Sequence, residues 1–218
     1  TCPADTVQKL PAITPTVFTP QIIPDAGSWN ALADSPTAHA AQAMVAVGSK
    51  IYVFWGYTNS STEVYDTTTN TWKTLSPYPG STNPYGMMAA AYGDKIYTFF
   101  QKRTYEYNPA NDTWIEKAPI PTTKAHGSAE LIDNKIYLVA ASGDSLLHIY
   151  DPARNIWTSG AKIPGLPYFA EWAVANGKIY VLGWSVGKHG THKSVHVYDP
   201  CLNAWRKITD MSTVSAGH

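Results

Sequence analysis

The sequence has no excess of charge of one sign. Its 218 residues include 16 lysines and arginines and 16 aspartates and glutamates, so the formal net charge at neutral pH is zero. Proteins that bind nucleic acid or an anionic membrane surface normally carry a basic stripe or patch, and no run of like charge occurs here. The charge pattern argues against both classes of protein.

Long hydrophobic runs are absent as well. No apolar stretch approaches the roughly 20 residues that a helix needs to cross a bilayer, and the start at Thr1 carries no hydrophobic signal segment. Hydrophobic residues still make up 44% of the chain, which suits a globular core. We expect a processed mature protein or a piece of a longer one, without membrane insertion.

Motifs of enzymatic chemistry are missing too. The chain has no Gly-x-Ser-x-Gly, no His-Glu-x-x-His and no glycine-rich loop for phosphate. His189, His192 and His196 lie close in sequence, but no cysteine or carboxylate cluster beside them completes the usual ligand set for zinc. We therefore predict no catalytic residue, no cofactor and no metal site.

What the sequence does contain is a repeat. Lys-Ile-Tyr occurs at 50–52, 95–97, 135–137 and 178–180. Each copy is followed by a second tyrosine and, seven residues later, by a tryptophan: Tyr65 and Trp72, Tyr107 and Trp114, Tyr150 and Trp157, Tyr198 and Trp205. The pattern recurs every 40 to 48 residues. A period of this length is typical of an array of small supersecondary units.

Each repeat is predicted to form four short β-strands. In the first repeat, a small-residue apolar strand over 39–47 is followed by the turn Gly48-Ser49 and by a β-rich run over 50–56. A third strand ends at Tyr65, and Trp72 opens the fourth. The recurring tyrosines and tryptophans are expected to pack between adjacent sheets, because aromatic side chains bury large areas.

The segments Ile149–Trp157 and Val197–Trp205 share the pattern Tyr-Asp-Pro-x-x-Asn-x-Trp, which resembles the Kelch repeat. The resemblance covers residues 29–205 and implies an all-β fold, a Kelch-type β-propeller with one four-stranded blade per repeat. The double glycine that usually ends the second Kelch strand is replaced here by Trp55-Gly56, Phe100-Gln101, Ala141-Ser142 and Gly183-Trp184.

We predict a single domain over residues 1–218, with repeats at about 30–72, 73–114, 115–157 and 158–205. The five tryptophans that recur once per unit are 43, 42, 43 and 48 residues apart, and the step around the join of the termini is 42: Trp29, Trp72, Trp114, Trp157 and Trp205. This spacing favours five blades, the fifth being a composite of residues 1–29 and 206–218. The end of the chain also resembles the onset of an innermost strand, so a fragment of a six-bladed protein is the alternative.

The ligand site is predicted on the face that carries the second-to-third-strand loops and the connections between blades. These loops differ from repeat to repeat, and variable loops on a rigid scaffold are where binding usually occurs. The predicted ligand-binding residues are the aromatic Trp55, Tyr78, Tyr85, Tyr168, Phe169 and Trp184 and the polar Arg103, Glu171 and His189. The alternative for each is that it only fills the channel or the space left by the missing glycines.

The resemblance favours a non-catalytic module that binds a protein partner through this face. A carbohydrate-binding lectin is the first alternative, because aromatic rings stack on sugars, but the loops do not repeat one set of polar residues. A sugar-modifying enzyme is the second alternative, with Glu130 and Glu171 on neighbouring inner strands as an acid and base pair. The sequence does not indicate the oligomeric state.

Features of secreted proteins are also present. Closing a ring would bring Cys2 and Cys201 together, which predicts a disulfide between them, although both could be free thiols in a cytosolic protein. Two glycosylation sequons begin at Asn59 and Asn111. We expect an extracellular protein, with a cytoplasmic one as the alternative.

Overall fold

The computed structural model describes residues 29–37, 43–54, 56, 60–140, 144–164, 171–185 and 191–212. This part of the chain forms four antiparallel sheets of four strands, each built from consecutive strands in sequence order. These sheets confirm the predicted all-β propeller architecture, and we number them blade 1 to blade 4. The described residues include no helix that could cross a membrane.

The strands of blades 1 and 2 are β1 Ala43–Val47, β2 Lys50–Phe54, β3 Thr62–Asp66, β4 Thr71–Leu75, β5 Met88–Tyr92, β6 Lys95–Phe100, β7 Arg103–Asn108 and β8 Thr113–Glu116. Those of blades 3 and 4 are β9 Gly127–Ile132, β10 Lys135–Ala140, β11 Leu146–Asp151, β12 Ile156–Lys162, β13 Glu171–Ala175, β14 Lys178–Ser185, β15 Thr191–Asp199 and β16 Ala204–Asp210. The Lys-Ile-Tyr phrase opens the second strand of every blade, as predicted.

Tight turns set the register of the inner hairpins. Gly48 and Gly93 have φ of 59° and 61° at the first turn position of blades 1 and 2. In blade 3 both turn residues, Asp133 and Asn134, have positive φ, at 47° and 62°. These angles are those of the primed turns whose twist matches a two-residue hairpin. They account for the glycine, asparagine and aspartate at these positions.

The core lies between adjacent blades. Tyr107, Tyr150 and Tyr198 are at most 1% exposed, and each packs against the tryptophan of its own repeat. Phe54 of blade 1 also meets Trp114 of blade 2 edge to face, with ring centroids 5.7 Å apart. The aromatic repeat is therefore core packing, as the sequence predicts.

One set of hydrogen bonds joins each blade to the segment that precedes it, and we call it the clasp. In blade 3, the Tyr150 hydroxyl donates to Asn155 Oδ1 over 2.7 Å. The backbone N–H of Ala118 donates to the same oxygen over 2.8 Å, and Trp157 Nε1 donates to the carbonyl of Ala118 over 2.9 Å. Both peptide groups of Ala118 are thus bound by the next blade.

The clasp recurs in all four blades. The bound residue always lies four positions after the preceding tryptophan: Ala33 after Trp29, Ser76 after Trp72, Ala118 after Trp114 and Ala161 after Trp157. Trp29 therefore occupies the position of an outer-strand tryptophan in a unit that precedes blade 1. Residues 1–28 and 213–218 lie outside the described residues, so the composite fifth blade, and the single domain over 1–218, stay predictions.

The acceptor of the clasp also has a special backbone conformation. Asn70, Asp112, Asn155 and Asn203 have φ between 47° and 56°, a left-handed region that asparagine and aspartate tolerate better than most residues. Asp112 replaces asparagine without loss of the clasp, because only an oxygen acceptor is required. Burial opposes ionisation of Asp112, but the hydrogen bonds from Tyr107 and Ser76 outweigh it and hold the pKa of the carboxyl below its ordinary value.

Replacing the acceptor tests the clasp. Asn155→Ala leaves the hydroxyl of the buried Tyr150 and the N–H of Ala118 without their acceptor, and it places an alanine at φ 56°. We expect the free energy of unfolding in urea to fall by about 2–4 kcal/mol. Asn155→Asp keeps the oxygen and should lose less than about 1 kcal/mol. Equal losses in the two variants would contradict this account.

Candidate functional site

The inner strands of the blades bring their first residues to one end of the fold. β1, β5, β9 and β13 are edge strands of their sheets, and β5 contacts both β1 and β9. Ala43, the first residue of β1, pairs with Phe54 at the end of β2. The start of each inner strand therefore lies on the same face as the loop between the second and third strands, which is the predicted binding face.

A small open cavity lies at this end of the inner strands, and we call it the channel mouth. Its volume is about 170 Å³, and the residues that line it are Ala43, Met44, Met87, Met88, Ala89, Gly127, Ser128 and Ala129. The surface it presents is mostly polar. Among these side chains only Ser128 has a hydroxyl, so the other polar atoms are main-chain groups of the strand edges. The cavity is smaller than the roughly 300–1,000 Å³ of sites for drug-sized ligands.

Two blade connections form part of the rim of the channel mouth. The Tyr85 side chain is 49% exposed and meets the His126 ring edge to face, with centroids 4.8 Å apart. The backbone N–H of His126 donates to the carbonyl of Gly86 over 2.9 Å. Gly86 has φ of 83°, and a Cβ there would collide with the His126 ring. This tie fixes Tyr85 beside the mouth, where Met44 is also 61% exposed.

Glu130 lies on β9, two residues after Ser128, whose hydroxyl donates to the Glu130 carboxylate. Burial raises the pKa of Glu130, and the Ser128 hydrogen bond only partly opposes that shift. The equivalent positions of the other blades, opposite the first tyrosine of each repeat, hold Val45, Ala90 and Ala173. One blade thus carries an acid where the others carry small or branched apolar residues.

A buried polar cluster on the same face connects blades 2 and 3. The Lys124 ammonium is fully buried and donates to Asp144 Oδ1 over 2.8 Å and to the carbonyl of Leu146 over 3.2 Å. His148 Nε2 lies 3.0 Å from the same carboxylate oxygen. Burial opposes ionisation of Asp144, but the hydrogen bonds from Lys124 and His148 lower its pKa to about 2. The cluster fixes the start of β11, although the buried His148 Nδ1 has no hydrogen-bond partner among the described residues.

His148 in this cluster is held neutral. Burial lowers the pKa of His148, and the hydrogen bond with Asp144 opposes that shift without cancelling it. Thr122 Oγ1 lies 3.3 Å from Nε2 on its other side. In the part of the chain that the structure describes, no group of three or more histidine, cysteine or carboxylate side chains is placed to hold a metal.

The structure places three of the predicted binding residues. Tyr85 lies at the channel mouth. Arg103 is half exposed on this face, but it donates to the Tyr105 hydroxyl over 3.0 Å and lies 3.6 Å from Glu116. Tyr78 is only 3% exposed and packs edge to face on Tyr105 and Trp114, so it is a core residue and not a ligand contact.

An alignment of the connections between blades would have shown that Tyr78 occupies a buried position. It lies six residues after Trp72, and the residues six after Trp114 and Trp157 are Ile120 and Ile163. Both isoleucines are buried, at 1% and 2% exposure. The same alignment of inner strands reveals Glu130. Nothing in the repeat pattern indicates Lys124, whose partner lies 20 residues away in a loop.

The remaining predictions are tested less directly. Glu171 opens β13 and Trp184 lies near the end of β14, so the backbone brings both to the binding face. Four further binding predictions lie outside the described residues: Trp55, Tyr168, Phe169 and His189.

The predicted modification sites lie in turns where the structure describes them. Asn111 is exposed in the turn after β7, and Cys201 is exposed in the turn after β15. Asn59 and Cys2 lie outside the described residues, so the disulfide and the glycosylation stay predictions.

Two family models match the chain. The model described as DUF6242 beta propeller domain matches residues 23–170, and the Kelch motif model matches residues 169–212. The first match covers well over half of the chain. The fold and these matches define a β-propeller domain. The chain belongs to the family described as DUF6242 beta propeller domain, and the Kelch motif match in its last repeat agrees with the repeat pattern of the sequence.

Known proteins agree with this assignment. Kelch-like protein 36 from Mus musculus is 28% identical over an alignment length of 178, and the match covers 72% of this chain and 29% of the relative. Beta-scruin from Limulus polyphemus is 28% identical over an alignment length of 137, and that match covers 54% of this chain and 15% of the relative. The chain therefore spans less than a third of the length of these relatives. The solved structure titled "Structure of YjhT" superposes with a TM-score of 0.73 at 16% identity, over 84% of this chain and 68% of that one, a likeness of fold alone.

The partly buried carboxylate of Glu130 should make the stability of the fold depend on pH. Because its pKa is raised in the folded state, the folded protein binds more protons than the unfolded chain, and stability falls as the pH rises above about 4. We expect Glu130→Gln to raise the melting temperature near neutral pH, with the gain disappearing at low pH. Glu116→Gln, which removes a carboxylate that is 58% exposed, is the control and should show no such gain.

Proposed function

We propose that this propeller is a non-catalytic protein-interaction module whose partner binds the loop face around the channel mouth. The observation that carries the proposal is the pair of exposed side chains, Tyr85 and Met44, beside a small cavity edged by main-chain polar groups. Tyrosine and methionine are enriched in protein interfaces. The cavity has room for a side chain of a partner, and the surrounding loops supply further contact area.

The relationship to Kelch-like proteins and scruin supports a role in protein interaction. The hydrogen bonds of the clasp are also separate from the loops of the proposed binding face. Every clasp lies on the outer hairpins of the blades, away from the inner-strand edges that form the mouth. Changes in the loop face therefore leave the hydrogen bonds between the blades intact.

Two other functions have less support. Among the side chains that line the mouth only Ser128 offers a hydroxyl, whereas a sugar site needs several precisely placed polar groups. An acid and base pair would need a second carboxylate beside Glu130. The backbone places Glu171 at the start of the neighbouring inner strand, at the position that corresponds to Ser128 and not to Glu130. We therefore keep the lectin and the sugar-modifying enzyme as outcomes of the test.

The test is selection of binders from a displayed library of random peptides, in parallel with a glycan array. We expect peptides to be selected and their affinity to fall about tenfold or more in Tyr85→Ala and Met44→Ala, since a central interface residue contributes at least 1–2 kcal/mol. Leu202→Ala is the control, because Leu202 is 74% exposed in the turn after β15, on the opposite face. Glycan binding that Tyr85→Ala abolishes would instead support a lectin.

We also propose an extracellular location, with Cys2 and Cys201 joined by a disulfide and Asn59 and Asn111 as glycan acceptors. The exposure of Cys201 and Asn111 in turns supports this. We expect peptide mapping of the unreduced native protein to find one peptide pair linked through the two cysteines. Recovery of both cysteines in alkylated form would remove the disulfide and favour the cytoplasmic alternative.

A further inference from the structure

One carboxylate, Glu130, lies beside the channel mouth, and the function proposed above does not explain it. The inner strands are sheet edges, whose unpaired main-chain groups include N–H donors and carbonyls that can accept hydrogen bonds. The Ser128 hydroxyl lines the cavity and donates its proton to Glu130, so its oxygen keeps lone pairs for another donor. A group that enters the mouth from the loop face therefore meets several acceptors and a nearby carboxylate.

Glu130 has no cationic partner among the described residues. Its described contact is the Ser128 hydroxyl, and no basic side chain contributes to its ionisation. Two carboxylates that end third strands differ in this respect, since Asp66 pairs with Lys50 and Asp199 with Lys178. A partly buried charge is unfavourable unless it is paired. Within the described part of the chain, Glu130 is thus an acid without a cationic partner beside the cavity, at a position where the other three blades have Val45, Ala90 and Ala173.

We propose that the channel mouth is a recognition site for a basic side chain of the protein partner, arginine above all, which pairs with Glu130 and with the Ser128 oxygen. This inference rests on the protein-interaction function proposed above and names the chemistry of its ligand. A guanidinium or an ammonium has only donors, which match the acceptors of the mouth. Arginine also forms two parallel bonds with a carboxylate.

The rim suits the same ligand. Tyr85 stands half exposed beside the mouth, and the aliphatic stem of arginine or lysine packs along such a ring while its charged end reaches deeper. Met44, on the first inner strand, is 61% exposed and offers an adaptable apolar contact for that stem. The cavity volume of about 170 Å³ fits a single side chain of this kind.

The methionine methyl groups give a direct test. The protein has four methionines, of which Met44, Met87 and Met88 line the cavity and Met211 does not. We would label their methyl carbons and titrate the intact protein with n-butylguanidinium and with its neutral isostere N-butylurea. We expect a saturable shift at the exposed Met44 with the cation alone, and no shift at Met211.

Glu130→Gln is the decisive variant, because it keeps an oxygen for Ser128 and removes the charge. We expect it to weaken n-butylguanidinium binding about tenfold, the size of effect typical of a lost charge pair, so that the two probes become indistinguishable. Glu116→Gln is the matched control and should bind as the original protein does. A structural role of Glu130 would not change the discrimination between a cation and its isostere.

The other outcomes separate this inference from the function on which it rests. Equal shifts with both probes, or none with either, would overturn the role of Glu130. So would peptides selected through Tyr85 that contain no arginine or lysine, although they would still support protein interaction at the mouth. Both proposals would be overturned by selected peptides whose affinity does not change when Tyr85, Met44 or Glu130 is substituted.

Discussion

The clasp between adjacent blades is the interaction on which the rest of the structure depends. A four-stranded sheet buries its two faces only against its neighbours, so the blades must be held in a fixed order and angle. The clasp does this with three groups: a buried tyrosine hydroxyl, an asparagine or aspartate oxygen and an indole N–H, which together bind both peptide groups of one residue in the preceding blade. It explains why the spacing from tyrosine to tryptophan is constant while most other positions vary.

Polar contacts closer to the loop face differ from one blade junction to the next. The residue two positions before the second tyrosine contacts the preceding connection in a different way each time. The contacts are a carboxylate with hydroxyls at Glu63 and Ser35, two aromatic rings at Tyr105 and Tyr78, and a histidine with a hydroxyl at His148 and Thr122. The contacts of the outer hairpins are thus the same in every blade, whereas the contacts directly beneath the loop face differ between blade junctions. This division leaves the binding face free to change without loss of the fold.

The features that depend on the repeat could be predicted from the sequence. The period, the turn residues and the tyrosine and tryptophan positions predicted the strands, their order and the packing between sheets, because each is determined by local chemistry repeated four times. Tyr85 and Tyr78 lie in the same variable connection, and the sequence did not distinguish the exposed Tyr85 from the buried Tyr78. An aromatic residue in such a connection suits a core as well as a surface. Comparison with the equivalent residues Ile120 and Ile163 would have predicted that Tyr78 is buried.

Features that arise from one blade alone were harder to find. Glu130 stood out only as a carboxylate on an inner strand, and its hydrogen bond to Ser128 and the lack of a described cationic partner depend on side-chain placement. The Lys124, Asp144 and His148 cluster joins a connection to a loop and a strand, and no periodic pattern encodes such a contact. The sequence therefore predicts which face carries the candidate site, whereas the cavity on that face is seen only in the structure.

Hydrogen exchange of the clasped amides in the native protein tests the central claim most directly. The N–H groups of Ser76, Ala118 and Ala161 donate to side-chain oxygens of the next blade. Our account predicts that these amides exchange as slowly as those of the central strands β6 and β10. Exchange as fast as that of amides in exposed turns would show that the clasp does not hold the blades together.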